Sequence, residues 1–124
     1  SVEVQGVNVN NILMTPLIET THEEVLQSYD WKEAFGFSPY TPEDIAEVIA
    51  TKEGANDEDP WFGVFRMKDG KFMYLEAWCD YTGWDCRSGG EGFLNETLEA
   101  LRRWSMTKWA RRALQLTLAD LDGE

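Results

Sequence analysis

WFGVFRMKDGKFMYLEAW, Trp61 to Trp78, reads as the centre of the sheet and leads into Cys79 to Gly90, the stretch the chain is organised around. Asp69-Gly70 stands at its centre between two aromatic-rich runs, the strongest short signal for a β-hairpin. A two-residue turn there pairs Lys68 with Lys71, Met67 with Phe72, Phe65 with Tyr74 and Trp61 with Trp78. One face then collects Trp61, Phe65, Met67, Phe72, Tyr74 and Trp78, and the other Phe62, Val64, Met73, Leu75 and Ala77. Both faces are apolar. The hairpin is therefore expected at the centre of a sheet, with chain packed on both sides or with one core face and one partly exposed aromatic face.

The next stretch, CDYTGWDCRSGG from Cys79 to Gly90, has a composition that neither a plain helix nor a plain turn requires. A bend at Thr82-Gly83 sets Tyr81 opposite Trp84, Asp80 opposite Asp85 and Cys79 opposite Cys86, with Trp84 to Ser88 returning as a third antiparallel strand. Opposed cysteines in a hairpin can come within disulfide reach. Opposed carboxylates repel unless a proton, a metal or a base such as Arg87 lies between them.

Upstream, Thr20 to Glu24 resembles a capping box and predicts a helix that turns Val25, Leu26, Tyr29 and Phe35 inward. It would end near Gly36, a residue suited to a left-handed C-terminal cap. TPEDIAEVIATKEG, residues 41–54, reads as a second helix: Thr41 caps, Pro42 opens, Gly54 closes, and Ile45, Val48 and Ile49 share a face at i, i+3, i+4 spacing. Residues 55–60, ANDEDP, form a polar acidic loop. Downstream, Asn95 and Thr107 read as caps of helices over about 95–105 and 107–115. Residues 1–19 suggest an edge strand or docked arm, and residues 117–124 a frayed acidic tail.

These readings predict one α+β domain over residues 1–124. It is a small antiparallel sheet (hairpin 61–78 plus 79–88) packed by helices at about 21–35, 42–53, 95–105 and 107–115. With 124 residues, 43% of them apolar, the chain is long enough for one modest core. It contains no apolar run long enough to span a bilayer and no positively charged leader, so a cytoplasmic protein without membrane association is expected.

Charge bounds the partner. The formal net charge is −12, which argues against direct nucleic-acid binding and favours basic partners. The excess is local: residues 1–65 hold thirteen acids against Lys32 and Lys52, whereas residues 66–124 hold ten acids and nine bases. Six tryptophans in a chain of this size exceed what a small core needs, and aromatics left at the surface anchor partners.

Catalysis draws little from these residues. A metal site at Cys79, Asp80, Asp85 and Cys86 would have one cysteine pair six residues apart and no nearby histidine, unlike structural zinc. A nucleophilic thiol needs a positive field, and these thiols are flanked by aspartates. Gly89-Gly90-Glu91-Gly92 lacks the lysine of a phosphate loop and is read as a plain loop. No catalytic residue and no cofactor are expected.

YDWKEAFGF, EGANDEDPWFGVFRMKDGKF, CDYTGWDC and LEALRRW together resemble a group of short uncharacterised bacteriophage, prophage and bacterial proteins carrying a CDYTGWDC motif. The resemblance covers about Tyr29 to Leu116, implies a phage or bacterial setting, and carries over no catalytic residue. Small phage proteins often bind host proteins, so the expected function is a non-enzymatic acidic binding module, one that inhibits a host nucleic-acid-binding or defence protein. Its expected surface is Asp57, Glu58 and Asp59 with Asp80, Tyr81, Trp84 and Asp85. A metal- or thiol-dependent protein centred on Cys79 and Cys86, and a virion or assembly component, are the alternatives.

Overall fold

The structure, a computed structural model, describes residues 3–4, 7–8 and 15–123. Its strands are β1 (Glu3–Val4), β2 (Val7–Asn8), β3 (Ile45–Lys52), β4 (Trp61–Met67), β5 (Phe72–Cys79) and β6 (Ser88–Asn95). Its α-helices are α1 (His22–Gln27), α2 (Tyr29–Phe35), α3 (Leu98–Ala100), α4 (Lys108–Ala113) and α5 (Ala119–Asp122), and α3 runs on into a π-helical turn over Leu101–Ser105. β3-β4-β5-β6 form one antiparallel sheet in chain order. The α+β architecture read from the sequence is correct and the 61–78 hairpin is its centre, but the strand expected within 79–88 is a turn, and Ser88–Asn95 takes its place beside β5.

The hairpin register is shifted by one residue from the two-residue-turn expectation. Phe65 pairs with Met73 and Val64 with Tyr74, because Met67 donates its N–H to Lys71 at 2.8 Å and closes a three-residue turn. Gly70 sits at φ +93 within it, the left-handed position of a turn followed by a glycine bulge. Since side chains alternate, a slip of one exchanges the faces of β5 relative to β4. Trp61, Phe65 and Met67 thus share a core with Met73, Leu75 and Ala77, under Val25, Trp31, Ala34 and Phe35. Phe62, Val64 and Tyr74 share the other with Leu101, Met106, Ala110 and Leu114. Both faces are covered, as two apolar faces require.

The helix expected over 42–53 is a strand. Thr41 and Pro42 open only a 3-10 turn, Pro42–Asp44, in which the Asp44 carboxylate accepts the Thr41 N–H at 2.9 Å. The chain then extends as β3 against β4, with register breaks between Ile45 and Glu47 and between Val48 and Ala50. Each irregularity displaces the two-residue alternation by one, so Ile45 and Val48, three apart, reach the same core while Ile49 faces the other. Bulges therefore reproduced helical spacing in a segment whose β-branched Ile45, Val48, Ile49 and Thr51 suit a strand.

Other boundaries shift for local reasons. The 21–35 helix is two helices. Thr21 and Glu24 form the capping box of α1, and Ser28, extended at φ −88 and ψ 125, ends it and caps α2. Trp31, not Leu26 or Tyr29, faces the core, since Leu26 and Tyr29 are exposed. Gly36 ends α2 at φ −62, without a left-handed cap. Thr97 rather than Asn95 caps α3, accepting the Ala100 N–H at 3.1 Å, because Asn95 is the last residue of β6. Thr107 caps α4 as expected. Of the 1–19 arm, Leu17 to Glu19 docks on the outer edge of β3: the Thr51 N–H reaches the Leu17 carbonyl and the Glu19 N–H the Thr51 carbonyl. The rest of that arm lies largely outside the described residues.

Of the tail expected to fray over 117–124, the described residues 117–123 are docked through Thr117, Leu118 and Asp122. Leu116, Thr117 and Leu118 are buried, and Asp122 receives three bonds from two nitrogens of the Arg111 guanidinium, 2.6, 2.8 and 3.1 Å long. The remaining Arg111 nitrogen donates to the carbonyls of Arg102 and Met106. Arg102 in turn donates to the Leu116 and Thr117 carbonyls, and burial lowers its guanidinium to about 10. Buried charges persist when every donor is used, and this network clasps the last turn of chain onto α4.

Candidate functional site

The connections 53–60 and 80–87 lie at the same end of the sheet, since each joins strands of an antiparallel meander. They are tied together: Asp57, at φ +62, donates its N–H to the Cys79 carbonyl at 2.8 Å. That left-handed turn is held by the Ala55 N–H on the Asp59 carbonyl at 2.9 Å and the Glu58 N–H on the Ala55 carbonyl at 3.1 Å. Asp57, Glu58 and Asp59 are left facing solvent.

The second connection is built on Asp80. Its carboxylate accepts the Thr82 N–H at 2.9 Å and the Thr82 hydroxyl, and its carbonyl accepts the N–H of Gly83, which sits at φ +95. The Asp80 N–H donates to the Arg87 carbonyl at 3.0 Å, and Ser88 then begins β6. The Thr82 hydroxyl, the backbone amides and the Arg87 charge hold the Asp80 carboxyl below its ordinary range. It is an anion at neutral pH.

Between the two connections lies a cleft of about 570 Å³. Asp57, Glu58, Asp80 and Tyr81 line it, together with Glu76, Trp78 and Arg87. Tyr81 is 78% and Trp78 43% exposed, so the cleft offers aromatic surface beside carboxylates. Glu76 faces Glu91 across the β5–β6 ladder; burial first, and then the Glu91 charge, raise its carboxyl above the ordinary range.

Four of the seven residues expected at the surface thus converge: Asp57, Glu58, Asp80 and Tyr81. Asp59 is exposed but does not line the cleft. Asp85 is exposed and does not line the cleft; its charge raises the Tyr29 phenol. Trp84 is a correction. It is 7% exposed, its indole N–H donates to Asp30 at 2.8 Å, and its ring packs 5.0 Å from that of Trp61. Glu76 and Trp78 were missed as site residues because the assumed register set Trp78 opposite Trp61; with the ladder shifted by one, Trp61 faces Ala77.

The cysteines do not meet across the turn. Cys79 pairs with Ser88, not Cys86, and both thiols are free, Cys79 buried and Cys86 exposed. Burial, with Asp30 and Asp80 nearby, pushes the Cys79 thiol up, away from the reactive thiolate. Among the described residues no group of three His, Cys, Asp or Glu side chains is placed to hold a metal ion. Residues 89–92, expected as a loop, lie inside β6. No helix among the described residues is long and apolar enough to cross a membrane.

The cleft is therefore an acidic and aromatic surface built by two connections distant in sequence. The chain matches no protein-family model, and comparison with curated proteins and with solved structures gives no match.

Proposed function

We propose that this chain is a protein-binding module whose cleft takes a positively charged segment of another protein. The observation that carries the reading is the convergence of Asp57 and Glu58 with Asp80, Glu76, Trp78 and Tyr81 around one open cleft. Carboxylates there attract lysine and arginine, while the exposed indole and phenol rings accept their aliphatic stems and cationic heads. The net charge of −12 adds long-range steering toward a basic surface.

Within that reading, the partner is a basic host protein, and nucleic-acid-binding and defence proteins carry basic grooves of this kind. Occupying such a groove would inhibit it. The separation of buried Cys79 from exposed Cys86 lends no support to a shared metal or thiol centre.

The test is capture of partners from host lysate by the tagged chain and by an Asp57→Asn, Glu58→Lys, Asp80→Asn triple variant, at low and high salt; asparagine keeps the Asp80 turn acceptor and tolerates the left-handed backbone at position 57. A basic protein held by the parent chain, released by salt and lost by a variant that melts at the parent temperature is the expected result. A partner retained equally by the variant removes the cleft from the function.

A further inference from the structure

Among the described residues β6 is an edge strand. The sheet order β3-β4-β5-β6 places no described strand on its outer side, and none of its eight residues is buried, whereas β4 is buried at all but Arg66. The hydrogen-bonding phase follows from the Asp80 N–H on the Arg87 carbonyl. Alternation along the ladder directs the N–H and C=O groups of Gly89, Glu91, Phe93 and Asn95 toward β5. Those of Ser88, Gly90, Gly92 and Leu94 point away, and among the described residues no backbone group bonds to them.

Unpaired edges template the addition of another strand, and proteins usually block them with proline, lysine or a covering element. β6 has neither residue; Gly89, Gly90 and Gly92 raise no side-chain wall, and Glu91 is its one charge. The opposite edge, by contrast, is partly covered by Leu17–Glu19 on β3.

A second copy meets a like charge in one register. The antiparallel register that pairs Gly90 with Gly92 and Ser88 with Leu94 sets Glu91 against Glu91 at a close, non-hydrogen-bonded position. A positive side chain is favoured at the same place. Glu76 lies directly across the ladder from Glu91, and Trp78, on that same face, covers Gly89: a Cβ built there would meet the indole ring at 2.9 Å.

We propose that β6 accepts an extended segment of the partner protein as a fifth strand, with a lysine or arginine opposite Glu91 whose stem runs along Trp78. This rests on the reading of the cleft as a site for a basic segment and states how the segment is held. Main-chain bonds to Ser88, Gly90, Gly92 and Leu94 supply affinity, and alternate side chains supply selectivity.

The experiment titrates the isotope-labelled full chain with a short synthetic peptide alternating lysine and threonine, and reads amide shifts and exchange. Strand addition slows exchange at the four outward amides about tenfold. N-methylating the peptide amides that face β6 then lowers affinity about tenfold, while methylating the opposite set does not. Glu91→Lys weakens binding about fivefold. Binding that shifts Trp78 and Tyr81 without protecting the outward amides overturns strand addition and leaves the cleft reading standing. No binding of the peptide at low salt removes both. Protection that grows with protein concentration in the absence of peptide assigns the edge to a second copy and overturns the proposal.

Discussion

Acidic side chains are used in two opposite ways in this molecule. Around the cleft Asp57, Glu58 and Asp80 stand in or near water, with Arg87 as the one base among the described residues that line it. Under the C-terminal segment Asp122 is enclosed, and each of its oxygens is engaged by Arg111 or by the Leu118 N–H. The first arrangement leaves charge available for a partner, and of its three acids Asp80 also holds its own turn through Thr82. The second contributes nothing at the surface and holds the chain together. Exposed carboxylates interact weakly because water screens them, whereas a buried pair cannot lose one member without stranding the other.

The sharpest break of this contrast is Arg111→Ala, which leaves Asp122 charged and enclosed. It should lower unfolding stability by about 3–5 kcal/mol, read by urea denaturation. pH gives an independent readout. The Arg111 bonds hold the folded Asp122 carboxyl below its ordinary range, so its contribution is present above the unfolded pKa and is lost as pH falls through the folded one. Asp122→Asn should remove that acid limb from the stability profile.

The next effect sits between the two regions. Glu53, at the start of the cleft's first connection, accepts the indole N–H of Trp31 at 2.6 Å, that of Trp61 at 3.2 Å and the Thr20 hydroxyl. Glu53→Ala strands donors of two core tryptophans and should cost about 2–3 kcal/mol, visible in denaturation and in tryptophan fluorescence. An unchanged midpoint would place water at those indoles.

Glu76 has the sign opposite to Asp122. Its folded carboxyl is raised, so ionisation above the unfolded pKa opposes folding and the opposition is relieved as pH falls. Glu76→Gln should therefore stabilise at neutral pH by a few tenths of a kcal/mol, a small gain because the site is partly solvated, and the gain should vanish in acid. The smallest stability effect belongs to the loop: Glu58→Lys with Asp59→Lys should stay within about 0.5 kcal/mol of the parent, even though it reverses charge at and beside the cleft wall. A larger loss would mean that these acids serve the fold.

The legible parts of the chain were those whose signal is local. Asp69-Gly70 announced the central hairpin, Thr21 with Glu24 a capping box, and Thr107 the start of α4, because turn and cap chemistry act within a few residues. The charge asymmetry announced the acidic half, because charge is counted residue by residue. What misled was periodicity where bulges intervened: Ile45, Val48 and Ile49 carry helical spacing on a bulged strand. Trp84 was misread as a surface anchor because composition counts aromatics without locating them, and its partners Asp30, Phe37 and Trp61 are remote in sequence. The tail was misread because Arg111 and Asp122 declare themselves only when brought face to face.

By itself the sequence determined the class of fold, the place of the central hairpin, the acidity of the first half and four of the residues that line the cleft. Each follows from propensity, turn chemistry or charge, which need no distant partner. Tertiary structure alone decided the hairpin register, the conversion of residues 45–52 into a strand, the burial of Trp84 and Asp122, and the union of two connections into one cleft. Those outcomes depend on which surfaces meet across the sheet, and a one-residue shift in pairing turns a core side chain into an exposed one.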